Sequence, residues 1–176
     1  MKVSNARRSA DLLISRQRIR RPAVDVHSIA EHLGMRITEL NLGSDCSGLL
    51  ITQPGLTPCI VVHQQHHEHR KRFTIAHEIG HFALKHHFGD TNVHADSLTS
   101  ISYRGGRASQ GTDPREIAAN QFASTLLMPT ALMERALLRR KTKLERDYES
   151  VVQELAESFT VSGHAMTLRL KSMGYI

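Results

Sequence analysis

The segment His77-Glu78-Ile79-Gly80-His81, set among Phe73, Ile75, Ala76, Phe82 and Ala83, constrains this chain more than any other. The apolar spacing predicts a helix from near Glu68 through Leu84, ended by Gly89. On a helix, residues four apart share a face, roughly 6 Å apart along the axis. His77 and His81 can therefore aim two imidazole nitrogens at one ion. Glu78 is rotated by about a third of a turn, close to that ion without competing for it. This is the physical content of an HExxH motif. Zinc held there lowers the pKa of water to about 7 and polarises a scissile carbonyl. The glutamate takes the water's proton and passes it to the leaving amine. The plain alternative is an amphipathic helix whose polar face happens to carry two histidines, in a chain with 12 of them. The apolar flanks argue against it, because imidazoles on a buried face need partners and a metal satisfies both. Gly80 costs roughly 1 kcal/mol within a helix; close approach of another backbone would account for it, and so would tolerance.

Zinc needs a third protein ligand and, for catalysis, a position left for water. His87 falls where an extended HExxHxxGxxH motif would place it, but Leu84 stands where that motif needs a bending glycine. On a continuing helix His87 lies about 9 Å past His81 and cannot reach the ion. His86 and His87 then read as a solvated helix end, where their charge suits the dipole. Glu116 is the better candidate. Asp113-Pro114 starts a helix that runs to Met128 and is closed by Pro129. Glu116 and Asn120 share a face of it, as a ligand and the polar group behind a ligand would. The same residues fit a capping box, with Asp113 as N-cap and Glu116 at the third position. Spacing alone leaves the two roles even.

Around this centre, a helix is expected from Ser4 to about Arg20, with Leu12, Leu13 and Ile19 as its apolar residues. A second helix, capped by Asp25, runs to Leu33 with Gly34 as its stop. Strands are expected at Met35–Leu42, Gly48–Thr52 and Cys59–His63. Residues 90–112 are rich in Ser, Thr and Gly, a long connection of the kind that is functional or mobile. Helices are expected at 130–141, 148–158 and Ser162–Met173. Helices, a small meander, then helices argue for an α+β domain. The 176 residues fit one domain, no run is long enough for a signal peptide or a membrane span, and Cys46 and Cys59 read as reduced thiols in or near a sheet. Together these point to the cytoplasm. The net charge of +6 permits nucleic-acid contact without showing it, and the run Arg139-Arg140-Lys141-Thr142-Lys143 reads as a solvated face.

Two long motifs in order resemble the ImmA/IrrE family of metallopeptidases. They are Arg72-Phe73-Thr74-Ile75-Ala76-His77-Glu78-Ile79-Gly80-His81, and Glu116-Ile117-Ala118-Ala119-Asn120-Gln121-Phe122-Ala123 ending in Leu126-Leu127-Met128-Pro129. The likeness extends more loosely from Val24-Asp25-Val26 through Ser47-Gly48-Leu49-Leu50 to the C-terminus. It implies an α+β, zincin-like domain with a small antiparallel sheet, an HExxH helix and a C-terminal helical bundle. Zinc would be bound by His77, His81 and Glu116, with Glu78 as general base, which tips Glu116 toward ligand. Ala118 stands where many relatives carry a second glutamate, and His63 where many have asparagine, on what would be an edge strand. The expected organisation is a single metallopeptidase domain over 1–176: helices in 1–34, the sheet in 35–63, a two-helix zinc site in 68–129 with the loop 90–112, and a helical part in 130–176.

Family members cleave regulatory proteins, typically helix-turn-helix repressors, and relieve repression of stress genes or mobile elements; others are encoded beside a DNA-binding partner in toxin–antitoxin-like pairs. The expected partner is thus a co-encoded repressor or antitoxin. The last two helices have the rhythm of a helix-turn-helix themselves, in which Ser162, His164, Thr167, Arg169 and Lys171 would face DNA or a protein. Leu155, Phe159, Val161, Met166, Leu168 and Leu170 could equally seal the domain, and that reading is favoured. Tyr103 and His164 are candidate oxyanion stabilisers. The competing function is a non-catalytic partner- or DNA-binding module that keeps the fold.

Overall fold

Local capping chemistry sets most element boundaries in the computed structural model, which describes residues 3–86, 93–97 and 113–176. Helix α1 (Val3–Arg16) stops before the expected Arg20, because Arg18 takes a left-handed φ of 51°. Its buried face is built from Ala6 and Ala10, while Leu12 is exposed. Small residues let α1 lie close along α4 (Pro114–Leu127), the helix it packs on most. Asp25 caps α2 (Val26–His32) by accepting from the Ser28 amide at 3.0 Å, and Gly34 takes φ 73° at its end.

Among the described residues, four strands form one sheet in the order β1-β3-β2-β4: β1 (Arg36–Leu40), β2 (Cys46–Ile51), β3 (Cys59–His63) and β4 (Val93–Ser97). The sheet is mixed rather than wholly antiparallel. β2 and β3 pair antiparallel across the Pro54-Gly55 turn, but β1 lies on the far side of β3 and so runs parallel to it. That placement leaves the other edge of β2 for β4, which pairs antiparallel and arises within the stretch expected to be loop. His63 consequently sits on an interior strand and is buried; the edges are β1 and β4. Cys46 and Cys59 are reduced thiols on neighbouring strands.

Helix α3 (Glu68–Ala83) packs on β2 and β3, on α2 and, most extensively, on α4. Gly48 sets its distance from the sheet. A Cβ there would meet Thr74 Cγ2 at 2.3 Å and the Val61 carbonyl at 3.0 Å. Thr74 is fully buried and β-branched, so it has little room to yield. Gly48→Ala is expected to destabilise the fold by about 1–3 kcal/mol, read as a lower urea midpoint with an unchanged slope; an unchanged midpoint would show that α3 can shift freely.

The C-terminal part comprises α5 (Thr130–Leu138), α6 (Lys141–Arg146), α7 (Tyr148–Phe159) and α8 (Gly163–Ser172). The expected helix 130–141 ends earlier, and α6 is a separate short helix. Part of the basic run is paired: Arg140 Nε donates to Glu154 at 3.0 Å, and Lys143 pairs with the same carboxylate. Two buried arginines tie the layers together through backbone carbonyls. Arg72 on α3 donates to Val24 O at 2.8 Å and Thr160 O at 3.2 Å, and Arg169 on α8 donates to Met128 O at 3.1 Å and Thr130 Oγ1 at 2.9 Å. Burial pulls the Arg169 guanidinium down to about 10. No helix among the described residues is long and apolar enough to cross a membrane.

Candidate metal centre

The middle of α3 has no solvent face. Arg72, Thr74, Ile75, Ala76, His77, Glu78, Ile79, Gly80 and His81 are all buried. An amphipathic helix with two incidental surface histidines would leave its polar side wet, so that alternative fails. Gly80 allows the packing, although it is a side chain rather than a backbone that approaches. A Cβ at this position would lie 3.1–3.2 Å from Phe122 of α4, itself fully buried.

The close packing of α3 on α4 brings three donor groups together. His77 Nε2 lies 3.3 Å from Glu116 Oε2, His81 Nε2 lies 3.4 Å from Glu116 Oε1, and the two Nε2 atoms are 2.8 Å apart. Both imidazoles are fully buried, and the Glu116 side chain is 14% exposed. Tetrahedral zinc with bonds of about 2.0–2.1 Å holds its ligand atoms about 3.3 Å apart; the two histidine–carboxylate distances match, and the 2.8 Å between the two Nε2 atoms is shorter. Among the described residues, His77, His81 and Glu116 are the one group of three such side chains able to converge on an ion.

Tautomer chemistry points the same way. His77 Nδ1 lies 2.9 Å from Asn120 Oδ1, an acceptor only, so His77 carries its proton on Nδ1 and presents a lone pair at Nε2. Asn120 thus stands behind a ligand as the spacing on α4 predicts, although behind His77 rather than Glu116. The capping conflict also resolves. Asp113 caps α4 by accepting from the Arg115 amide at 2.8 Å, while the Glu116 carboxylate faces the imidazoles. Asp113 is held below the ordinary carboxylate range chiefly by its hydrogen bond with the Arg115 side chain. Two buried imidazoles and a largely buried carboxylate facing one another form a donor set that suits a cation.

Helix α3 ends earlier than Gly89. Leu84 is its C-cap, and Lys85 takes a left-handed φ of 54°. The amide of Lys85 bonds Phe82 O at 3.1 Å and that of His86 bonds His81 O at 3.0 Å. This is the Schellman arrangement, usually made with glycine, since a side chain in that region costs about 1 kcal/mol or more. The reversal folds His86 back, so that His86 Nδ1 lies 2.8 Å from His81 Nδ1. His86 is therefore no solvated helix end, and the continuing helix that set His87 aside does not exist. Burial pushes the His86 imidazole below its ordinary range, with Glu116 opposing. The role of His86 was not legible in the sequence, because nothing in Leu84-Lys85-His86 announces a left-handed lysine.

Other expected positions fall elsewhere. His87, Tyr103 and most of the stretch 90–112 lie outside the described residues. His164 is exposed on α8. Of the residues that would face DNA, Ser162 caps α8, Thr167 donates to Gly163 O at 3.0 Å, and Arg169 is buried. Of the five, only Arg169 is buried inside the domain.

A family model described as the IrrE N-terminal-like domain, Peptidase_M78, matches residues 30–171. No protein of curated function matches the chain.

Proposed function

Because the chain belongs to the IrrE N-terminal-like family of peptidases, we propose that it is a zinc-dependent endopeptidase that cleaves a regulatory protein, such as a co-encoded helix-turn-helix repressor or antitoxin, in the cytoplasm. The observation that carries this reading is the convergence of His77 Nε2, His81 Nε2 and the Glu116 carboxylate, with ligand atoms within 4.8 Å of one another. In it, the whole chain acts as a single metallopeptidase domain. His77, His81 and Glu116 would hold zinc, which supplies Lewis acidity and activates water when bound.

The remaining chemistry belongs to the chain. Glu78 is fully buried and one residue along α3 from His77. Its carboxylate accepts a proton from the attacking water and delivers it to the departing amine nitrogen. Asn120 keeps the His77 proton on Nδ1 and so fixes the orientation of that ring. The buried walls of α3 and α4 exclude bulk water, which strengthens each of these interactions. A protein substrate follows from the family; a regulatory protein as that substrate rests on the ImmA/IrrE resemblance of the two motifs. The burial of Arg169 against Met128 O and Thr130 Oγ1 weighs against direct DNA binding as the main role.

The test is incubation of the purified protein with the product of a neighbouring regulator gene, with and without a zinc chelator. A discrete cut that disappears with chelator is expected. Stoichiometric zinc without cleavage of any co-encoded regulator sinks the peptidase reading.

A further inference from the structure

Both histidines of the metal centre have a group behind Nδ1, but helical spacing marked only Asn120, four residues past Glu116 on α4, and not its contact with His77. Behind His81 stands His86, five residues later, where a continuous helix would carry it away. The reversal at Lys85 brings it back. Its amide donates to His81 O at 3.0 Å, its Nδ1 lies 2.8 Å from His81 Nδ1, and the rings meet nearly edge-on, 4.9 Å between centroids at 70°. Backbone and side chain of one residue thus grip the same ligand.

We propose that His86 is a positioning residue for the metal centre: its Nδ1 accepts the Nδ1 proton of His81 and so holds His81 in the tautomer that offers Nε2 to zinc. The role rests on the reading of His77, His81 and Glu116 as that centre. The opposite polarity, with His86 donating, would leave the His81 proton on Nε2, facing His77 Nε2 and Glu116 and closing the site. With His86 accepting, its own proton sits on Nε2, and both ligand histidines carry matched Nδ1–H bonds, one to an amide oxygen and one to an imidazole. Lys85 in a left-handed conformation is the structural requirement for this contact.

Two substitutions separate the acceptor from the bulk of the side chain. His86→Phe keeps a ring and the backbone cap but removes the acceptor; His86→Asn places an amide oxygen at about the reach of Nδ1. Zinc affinity, measured by chelator competition, is expected to fall by about 10–100-fold in His86→Phe and to recover most of that loss in His86→Asn. Cobalt-substituted protein provides a readout independent of activity: the visible bands of His86→Phe shift, and those of His86→Asn follow wild type. Nitrogen NMR of the zinc-loaded wild type should place the His86 proton on Nε2. Equal affinity and superimposable cobalt spectra for wild type and His86→Phe overturn the proposal, as does a His86→Asn no better than His86→Phe, or a His86 protonated on Nδ1. If His86→Phe does not fold, the NMR assignment and His86→Asn still decide it. Wild type that takes up no stoichiometric zinc fails the metal-centre reading itself, and the role of His86 with it.

Discussion

Exchanging Glu78 for glutamine should lower peptide-bond hydrolysis by about 10²–10⁴-fold, the usual worth of a positioned acid–base group, while zinc content stays at the wild-type level. The substitution keeps the shape of the side chain and removes its charge and its ability to take up and release a proton. Glu78 lies outside the three groups that converge, so the metal has no reason to leave. Glu78 is also wholly buried, and a neutral amide is easier to bury than a carboxylate. The melting temperature should therefore not fall appreciably. Single-turnover cleavage, zinc content and a thermal melt on the same preparation check all three statements. Activity within a few-fold of wild type would remove Glu78 from the mechanism, whereas loss of zinc together with activity would make it a ligand or a support of the site.

The contrast between α3 and its C-terminal turn shows which parts of this site can be read from sequence. The pairing of His77 with His81, and of Glu116 with Asn120, depends only on helical periodicity, and each pair lies on a regular helix where periodicity applies. Whether Glu116 caps α4 or faces α3 depends on how two helices pack, which no local pattern contains. Gly80 hints at close packing there, yet its neighbour, Phe122, lies on another element. His86 depends on a single backbone angle at Lys85, a residue that seldom adopts it. Sequence reasoning fails at that residue because the cost is local and the gain is tertiary.

The sheet shows the same division. Cys59–His63 is a run of apolar residues, and such a strand declares itself as interior. The direction of β1 and the recruitment of β4 are topological, set by which edge of β3 or β2 is open when each strand docks. The family resemblance put His63 on an edge, although the apolar run it ends already pointed to the interior. At the C-terminus the helix-turn-helix rhythm is real, with Ser162 capping α8 and Thr160 left-handed at the end of α7. Rhythm alone does not expose a recognition face, however. Arg169 would be a strong phosphate ligand on a free helix; its buried guanidinium instead satisfies carbonyl and hydroxyl groups at the junction of α4 and α5.

Removing the Glu116 carboxylate should have the second-largest effect, and on metal binding rather than on proton transfer alone. Groups that merely support a ligand change metal affinity by about 10–100-fold, so loss of a ligand is expected to exceed that range. Glu116→Ala should therefore bind zinc more than about 100-fold more weakly, and His77→Ala should behave alike, because the two groups lie 3.3 Å apart in one set. The consequence for stability follows from linkage. Zinc at about 1,000 times its dissociation constant stabilises the folded state by about 4 kcal/mol, so wild type should melt higher with zinc than without, and Glu116→Ala should lose most of that increment. Its metal-free form should fold, since Glu116 is in the first turn of α4 and Asp113 remains to cap the helix. Zinc titrations followed by thermal melts on the wild type and the two variants measure both quantities. Loss of zinc in His77→Ala with full retention in Glu116→Ala would return the third ligand to His87. Loss in both, with the metal-free folds intact, would establish a centre shared between α3 and α4, in which neither helix holds the ion alone.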